Sequence, residues 1–79
     1  MTELQRLREA FRTALDLPAD APVDDLHYQD NEKWDSLAHM RILAAVERGF
    51  AVKLPRLASY RVKDVGELAV LIDATRAGR

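Results

Sequence analysis

The stretch from Leu37 to Phe50 constrains this chain most. Ile42, Leu43, Val46 and Phe50 recur at three- and four-residue steps, the stripe of a helix that buries one face. Leu37, Met40 and Ala44 share the same helix but are displaced from that stripe. Apolar residues on more than one face mark a helix that is deeply buried or has a partner. The spacing predicts a helix from about Ser36 to Arg48, stopped by Gly49. Just before it, a polar, acidic loop closes on Trp34-Asp35-Ser36-Leu37. Ser36 therefore falls in the first helical turn with its hydroxyl outside the core. Unpaired backbone N–H groups and the positive end of the helix dipole suit a phosphate at such a position. Serine and aspartate are also leading helix caps, so spacing alone leaves Ser36 either a cap or an anion-bearing residue.

The flanking segments are helical too. Thr2 and Gln5 fit a capping box, and Leu4, Leu7, Phe11, Ala14 and Leu15 form an amphipathic stripe, giving a first helix over about 3–16 that Pro18 ends. Residues 17–35 form a long connection, pinned by Leu17, Val23, Leu26 and Tyr28, with Trp34 packing over the loop. After Gly49 come an extended link at 51–54 and a one-turn helix over about 56–60, opened by Pro55. Asp64 and Glu67 cap a last helix whose buried stripe is Val65, Leu68, Ala69, Leu71 and Ile72, and Ala77-Gly78-Arg79 should fray. No strand pattern or repeat is visible. The fold class is all-α: a small four-helix bundle of three main helices and one short helix, a single domain over residues 1–79.

Composition excludes several functions. With 79 residues there is room for a compact bundle but little for a deep enzyme cleft. Without cysteine there is no disulfide framework and no thiolate metal site. His27 and His39 are too few to hold a structural zinc, and the acidic loop lacks the D-x-D-x-D-G spacing of a calcium loop, so no metal is expected. His39 reads as a solvated or capping histidine. No apolar run approaches a membrane span, and the first residues lack the apolar region of a signal peptide, so a soluble, cytoplasmic protein is expected. Charge is uneven: seven carboxylates against Lys33 give residues 16–35 a net −6, whereas residues 36–79 carry +4. That split marks either a partner surface or ordinary solvated faces.

Taken together, these residues resemble the acyl carrier protein family, which includes the peptidyl carrier domains. The resemblance covers nearly the whole chain. It rests on Asp35-Ser36-Leu37 after a long acidic loop, then Met40, Ile42, Leu43, Val46 and Glu47 at helical spacing, then Phe50. Leu54-Pro55 and Val65-Gly66-Glu67-Leu68 follow where the family's last two helices begin. A D-S-L string alone is nearly worthless; the ordered set is specific. The resemblance implies that Ser36 receives a 4′-phosphopantetheine arm from coenzyme A through a phosphodiester, with Asp35 shaping the helix start and Leu37 beside it. The arm's thiol would hold an acyl or aminoacyl group as a thioester, so a chain without cysteine gains its working sulfur by modification.

The resemblance further implies a non-catalytic carrier, expected to be a monomer, served by a phosphopantetheinyl transferase, a loading ligase or acyltransferase, and a downstream synthase or transferase. Its second helix would be the face that enzymes read, at Leu37, Met40, Arg41, Ala44, Glu47 and Arg48. Arg41 and Arg48 depart from the acidic pattern of fatty-acid carriers, and Ala38 replaces an acid common there. A dedicated secondary pathway (polyketide, nonribosomal peptide, aminoacyl or another small-acid cargo) fits better than housekeeping fatty-acid synthesis. Three other readings stand beside it. A Ser36 nucleophile with His27 or His39 would need a shielded site and oxyanion donors that so small a helical chain scarcely provides. A helical protein-interaction module would carry no prosthetic group. Nucleic-acid binding would need a continuous Lys/Arg face, which no helix has.

Overall fold

A computed structural model, which describes residues 2–30 and 32–78, contains four helices: α1 (Glu3–Ala14), α2 (Ser36–Phe50), α3 (Arg56–Arg61) and α4 (Val65–Arg76). No strand occurs among the described residues, in line with the all-α reading. None of these helices is long and apolar enough to cross a membrane. Phe11 from α1, Trp34 from the long loop, Ile42 and Val46 from α2, and Leu68 from α4 have no solvent exposure and meet in one core.

Local chemistry sets each boundary. Thr2 Oγ1 accepts from Gln5 N at 3.1 Å while Gln5 Oε1 accepts from Thr2 N at 3.0 Å, the reciprocal capping box that opens α1. α1 stops at Ala14, two residues before the expected end, because Asp16 turns left-handed (φ 57°). Leu17 N then reaches back to Arg12 O at 2.8 Å and Asp16 N to Thr13 O at 3.3 Å, a Schellman closure with aspartate where glycine is usual. Leu4, expected in the core, is 41% exposed; it sits at the rim of an open groove between α1, Phe50 and α4.

The expected stop at Gly49 is also displaced. α2 continues through Gly49 to Phe50, and Ala51 is the left-handed residue (φ 54°) that ends it. The helix carries on because its last turn is held from outside. Arg6 of α1 donates to Gly49 O at 2.6 Å, and Arg76 of α4 lies within 3.5 Å of Phe50 O. The same two guanidinium groups cover the Phe50 ring at 4.8 and 5.4 Å. Cations here satisfy orphan carbonyls, oppose the negative end of the helix dipole and stack on an aromatic face in one arrangement. Arg76 also pairs with Glu3, joining α4 to the start of α1.

The long acidic connection is tied down at intervals. Arg8 grips Asp24 with two hydrogen bonds of 2.9 and 2.7 Å, which hold the Asp24 carboxyl below its usual range. Arg12 Nε donates to Ala21 O at 2.7 Å, Val23 is buried, and Tyr28 N donates to Lys63 O at 2.9 Å ahead of α4. Asp64 caps α4 by accepting from Glu67 N at 2.8 Å, and Glu67 Oε1 accepts from Lys63 N at 2.7 Å, one residue earlier than in a standard capping box. Of the tail expected to fray, Ala77 and Gly78 form a turn after α4; Arg79 lies outside the described residues.

Because Phe50 joins the core to both arginines, Phe50→Ala should remove about 3–5 kcal/mol from a domain holding roughly 5–15 kcal/mol in total. Urea unfolding followed by circular dichroism measures this. A midpoint unchanged by the substitution would show that Phe50 is not a core residue.

Candidate functional site

Asp35, not Ser36, caps α2. The Asp35 carboxylate accepts from Ala38 N at 2.9 Å, and Asp35 O accepts from His39 N at 2.9 Å. Ser36 is the first helical residue and is exposed. Among the described residues, neither its hydroxyl nor the backbone N–H groups of Ser36 and Leu37 have a hydrogen-bond partner. The site therefore offers a free hydroxyl beside two free N–H groups at the positive end of a fifteen-residue helix. These residues fit a phosphodiester: a cap already supplied by Asp35 leaves the serine oxygen available for the bond.

The residues on either side face the opposite way. Trp34, expected over the loop, is wholly buried and meets Phe11 edge-to-face at 5.1 Å. His39, expected in solvent or at a cap, is 3% exposed. The buried indole can only donate, and it donates from Nε1 to His39 Nδ1 at 3.1 Å. Nδ1 must then be the acceptor, so the ring is the neutral Nε2–H tautomer, and Nε2 donates to Ser59 O of α3 at 2.9 Å. Tyr28 stacks on the His39 ring at 4.6 Å. Both ring nitrogens of His39 are thus occupied, and it serves no Ser36 nucleophile. His27 lies at the surface, with its Nε2 3.7 Å from Asp64. Ser59, the second serine of the chain, is buried and its hydroxyl donates to Arg56 O at 2.8 Å.

A sequence comparison matches residues 5–72 to the phosphopantetheine attachment site family. The chain belongs to the acyl carrier protein family. A solution NMR structure of holo acyl carrier protein from Geobacter metallireducens superposes with a TM-score of 0.77 at 30% sequence identity, covering 98% of this chain and 88% of that one. A search of curated proteins found no match. Membership makes the chain a carrier rather than an enzyme, with 4′-phosphopantetheine as its covalent prosthetic group.

On the surface of α2, Leu37 and Met40 are 58% and 56% exposed, and Arg41, Ala44 and Arg48 are exposed as well. Glu47 stands apart from this set: it is half-buried, and its Oε2 accepts from Leu54 N at 2.8 Å, holding the link to α3. α3 also exposes large side chains that the sequence did not single out. On α3, Leu57 is 66% and Tyr60 44% exposed, while Ser59 is buried. This helix hides its serine and displays its leucine, because Ser59 O is needed inside by His39. No local hydrophobic pattern signals that inversion.

Proposed function

We propose that Ser36 is the attachment residue, and that the chain holds an acyl or aminoacyl intermediate on the arm and passes it between enzymes of a dedicated secondary pathway. The observation that carries the reading is the exposed, unbonded Ser36 hydroxyl one residue after the Asp35 cap of α2. A phosphopantetheinyl transferase would join this hydroxyl oxygen to the pantetheine-side phosphorus of coenzyme A, breaking the pyrophosphate P–O bond so that adenosine 3′,5′-bisphosphate leaves and the hydroxyl proton is lost. The free Ser36 and Leu37 N–H groups would bind a phosphate oxygen, and the helix dipole would favour its charge. The arm's thiol supplies the thioester linkage. Incubation with coenzyme A and a broad-specificity transferase should add one arm to wild type and to Ser59→Ala, and none to Ser36→Ala. Intact-protein mass reads this directly, and an arm appearing on Ser36→Ala would refute the assignment.

The secondary-pathway reading draws on Arg41 and Arg48. They lie two helical turns apart on one face of α2, beside exposed Leu37, Met40 and Ala44, and neither has a carboxylate partner among the described residues. Loading ligases or acyltransferases and downstream synthases that dock here would present carboxylates around an apolar contact. Rim charges act mainly on association rate. Arg41→Glu combined with Arg48→Glu should therefore slow loading by the cognate enzyme, most at low salt, with the helical circular dichroism unchanged. Equal loading rates across a salt series would reduce both arginines to solvated side chains.

A further inference from the structure

The Ser36 hydroxyl is placed by its neighbours and not by any bond of its own, since among the described residues it has no hydrogen-bond partner. The first turn of a helix is also the turn that frays, because its N–H groups lack partners within the helix. Two restraints act on this one. The first is local: the Asp35 carboxylate accepts from Ala38 N at 2.9 Å and fixes where α2 begins. The second spans the turn. Trp34 lies two residues before Ser36 and His39 three residues after it. The bond from the indole Nε1 to His39 Nδ1, at 3.1 Å, closes residues 34–39 into a ring that includes Ser36.

Both partners in that bond are themselves held. The indole is wholly buried against Phe11, and Trp34 O accepts from Gln29 N at 3.3 Å. The imidazole is buried, is stacked on Tyr28 at 4.6 Å, and donates from Nε2 to Ser59 O at 2.9 Å. With the proton on Nε2, Nδ1 remains an acceptor, and the indole can only donate. The contact between α2 and α3 thus selects the tautomer that ties the loop to α2. A cap alone leaves the chain before it free to swing; the Trp34–His39 bond removes that freedom on the side from which a transferase approaches Ser36.

We propose that His39 is a positioning residue for arm attachment: through the Trp34 indole it holds the turn that presents the Ser36 hydroxyl to the phosphorus, and it touches neither reacting atom. This rests on Ser36 as the attachment residue. As the Ser36 oxygen bonds to the pantetheine-side phosphorus and adenosine 3′,5′-bisphosphate leaves, the hydroxyl proton does not pass to the imidazole, whose two nitrogens are already occupied. Its contribution is alignment, on which bond formation depends steeply. Leu37 and Met40 are exposed and form no part of the Trp34–His39 bond, so docking on them is independent of it. The effect therefore falls on kcat and not on KM.

Three variants separate the two ring nitrogens. Trp34→Phe keeps an aromatic ring beside Phe11 and deletes the indole donor. His39→Gln can still donate to Ser59 O but offers no acceptor where Nδ1 stood. His39→Asn puts an amide oxygen in the place of Nδ1 and gives up the bond to Ser59. Each full-length variant, its fold checked by circular dichroism, is given coenzyme A and a broad-specificity transferase, and kcat and KM are read from intact-protein mass. Trp34→Phe and His39→Gln should lower kcat by about tenfold or more with KM unchanged. His39→Asn should recover most of the wild-type kcat. An unchanged kcat in Trp34→Phe, or a loss that falls on KM instead, would overturn the proposal. Equal losses in His39→Asn and His39→Gln would overturn it too, leaving His39 a packing role only; this pair decides the matter if Trp34→Phe fails to fold. A wild-type chain that accepts no arm would refute the attachment reading, and the proposal with it.

Discussion

A tryptophan indole buried without solvent must give its N–H to something, and in this fold the acceptor is His39 Nδ1. That single requirement orders the region around the site. Accepting at Nδ1 makes the ring neutral and turns Nε2 into a donor, which is met by Ser59 O twenty residues away. The loop end, the second turn of α2 and α3 are thereby joined through one imidazole, with Tyr28 stacked on it. Trp34 and His39 both point inward, five residues apart. Asp35 is spent on the cap, which leaves Ser36 and Leu37 to face outward. The exposed hydroxyl is a consequence of what its neighbours must bury.

The opposite end of α2 is fixed by a different kind of force. Arg6 and Arg76 come from the first and last helices and meet at Phe50, using its ring face and the carbonyls of the final turn. Both ends of the helix are therefore anchored, and its outer surface is free to carry Leu37, Met40, Arg41, Ala44 and Arg48. For the docking role we propose for α2, a helix anchored at both ends suits successive enzymes better than an adaptable loop.

Much of this was legible in the sequence, and what was not has identifiable causes. The Thr2–Gln5 box, the Asp64 cap and the three- and four-residue stripes are local, so the helices and their starts could be read. Helix ends were harder: Asp16 and Ala51 adopt left-handed geometry that glycine usually signals, while Gly49 sits inside a helix. The placement of Ser36 in the first turn of α2 was readable because the acidic loop ends and the apolar stripe begins there. The burial of Trp34 and His39 was not, since a donor–acceptor chain that ends at a distant carbonyl leaves no periodic trace. The inverted polarity of α3, with Ser59 inside and Leu57 outside, comes from that same hidden bond.

The most direct measurement of this account is the protonation pattern of that imidazole, read by nitrogen-15 NMR together with hydrogen exchange of the Trp34 indole proton. The structure requires His39 to be the Nε2–H tautomer and the indole N–H to exchange far more slowly than in an unfolded chain. An Nδ1–H tautomer, or an indole proton that exchanges as freely as in unfolded protein, would contradict it.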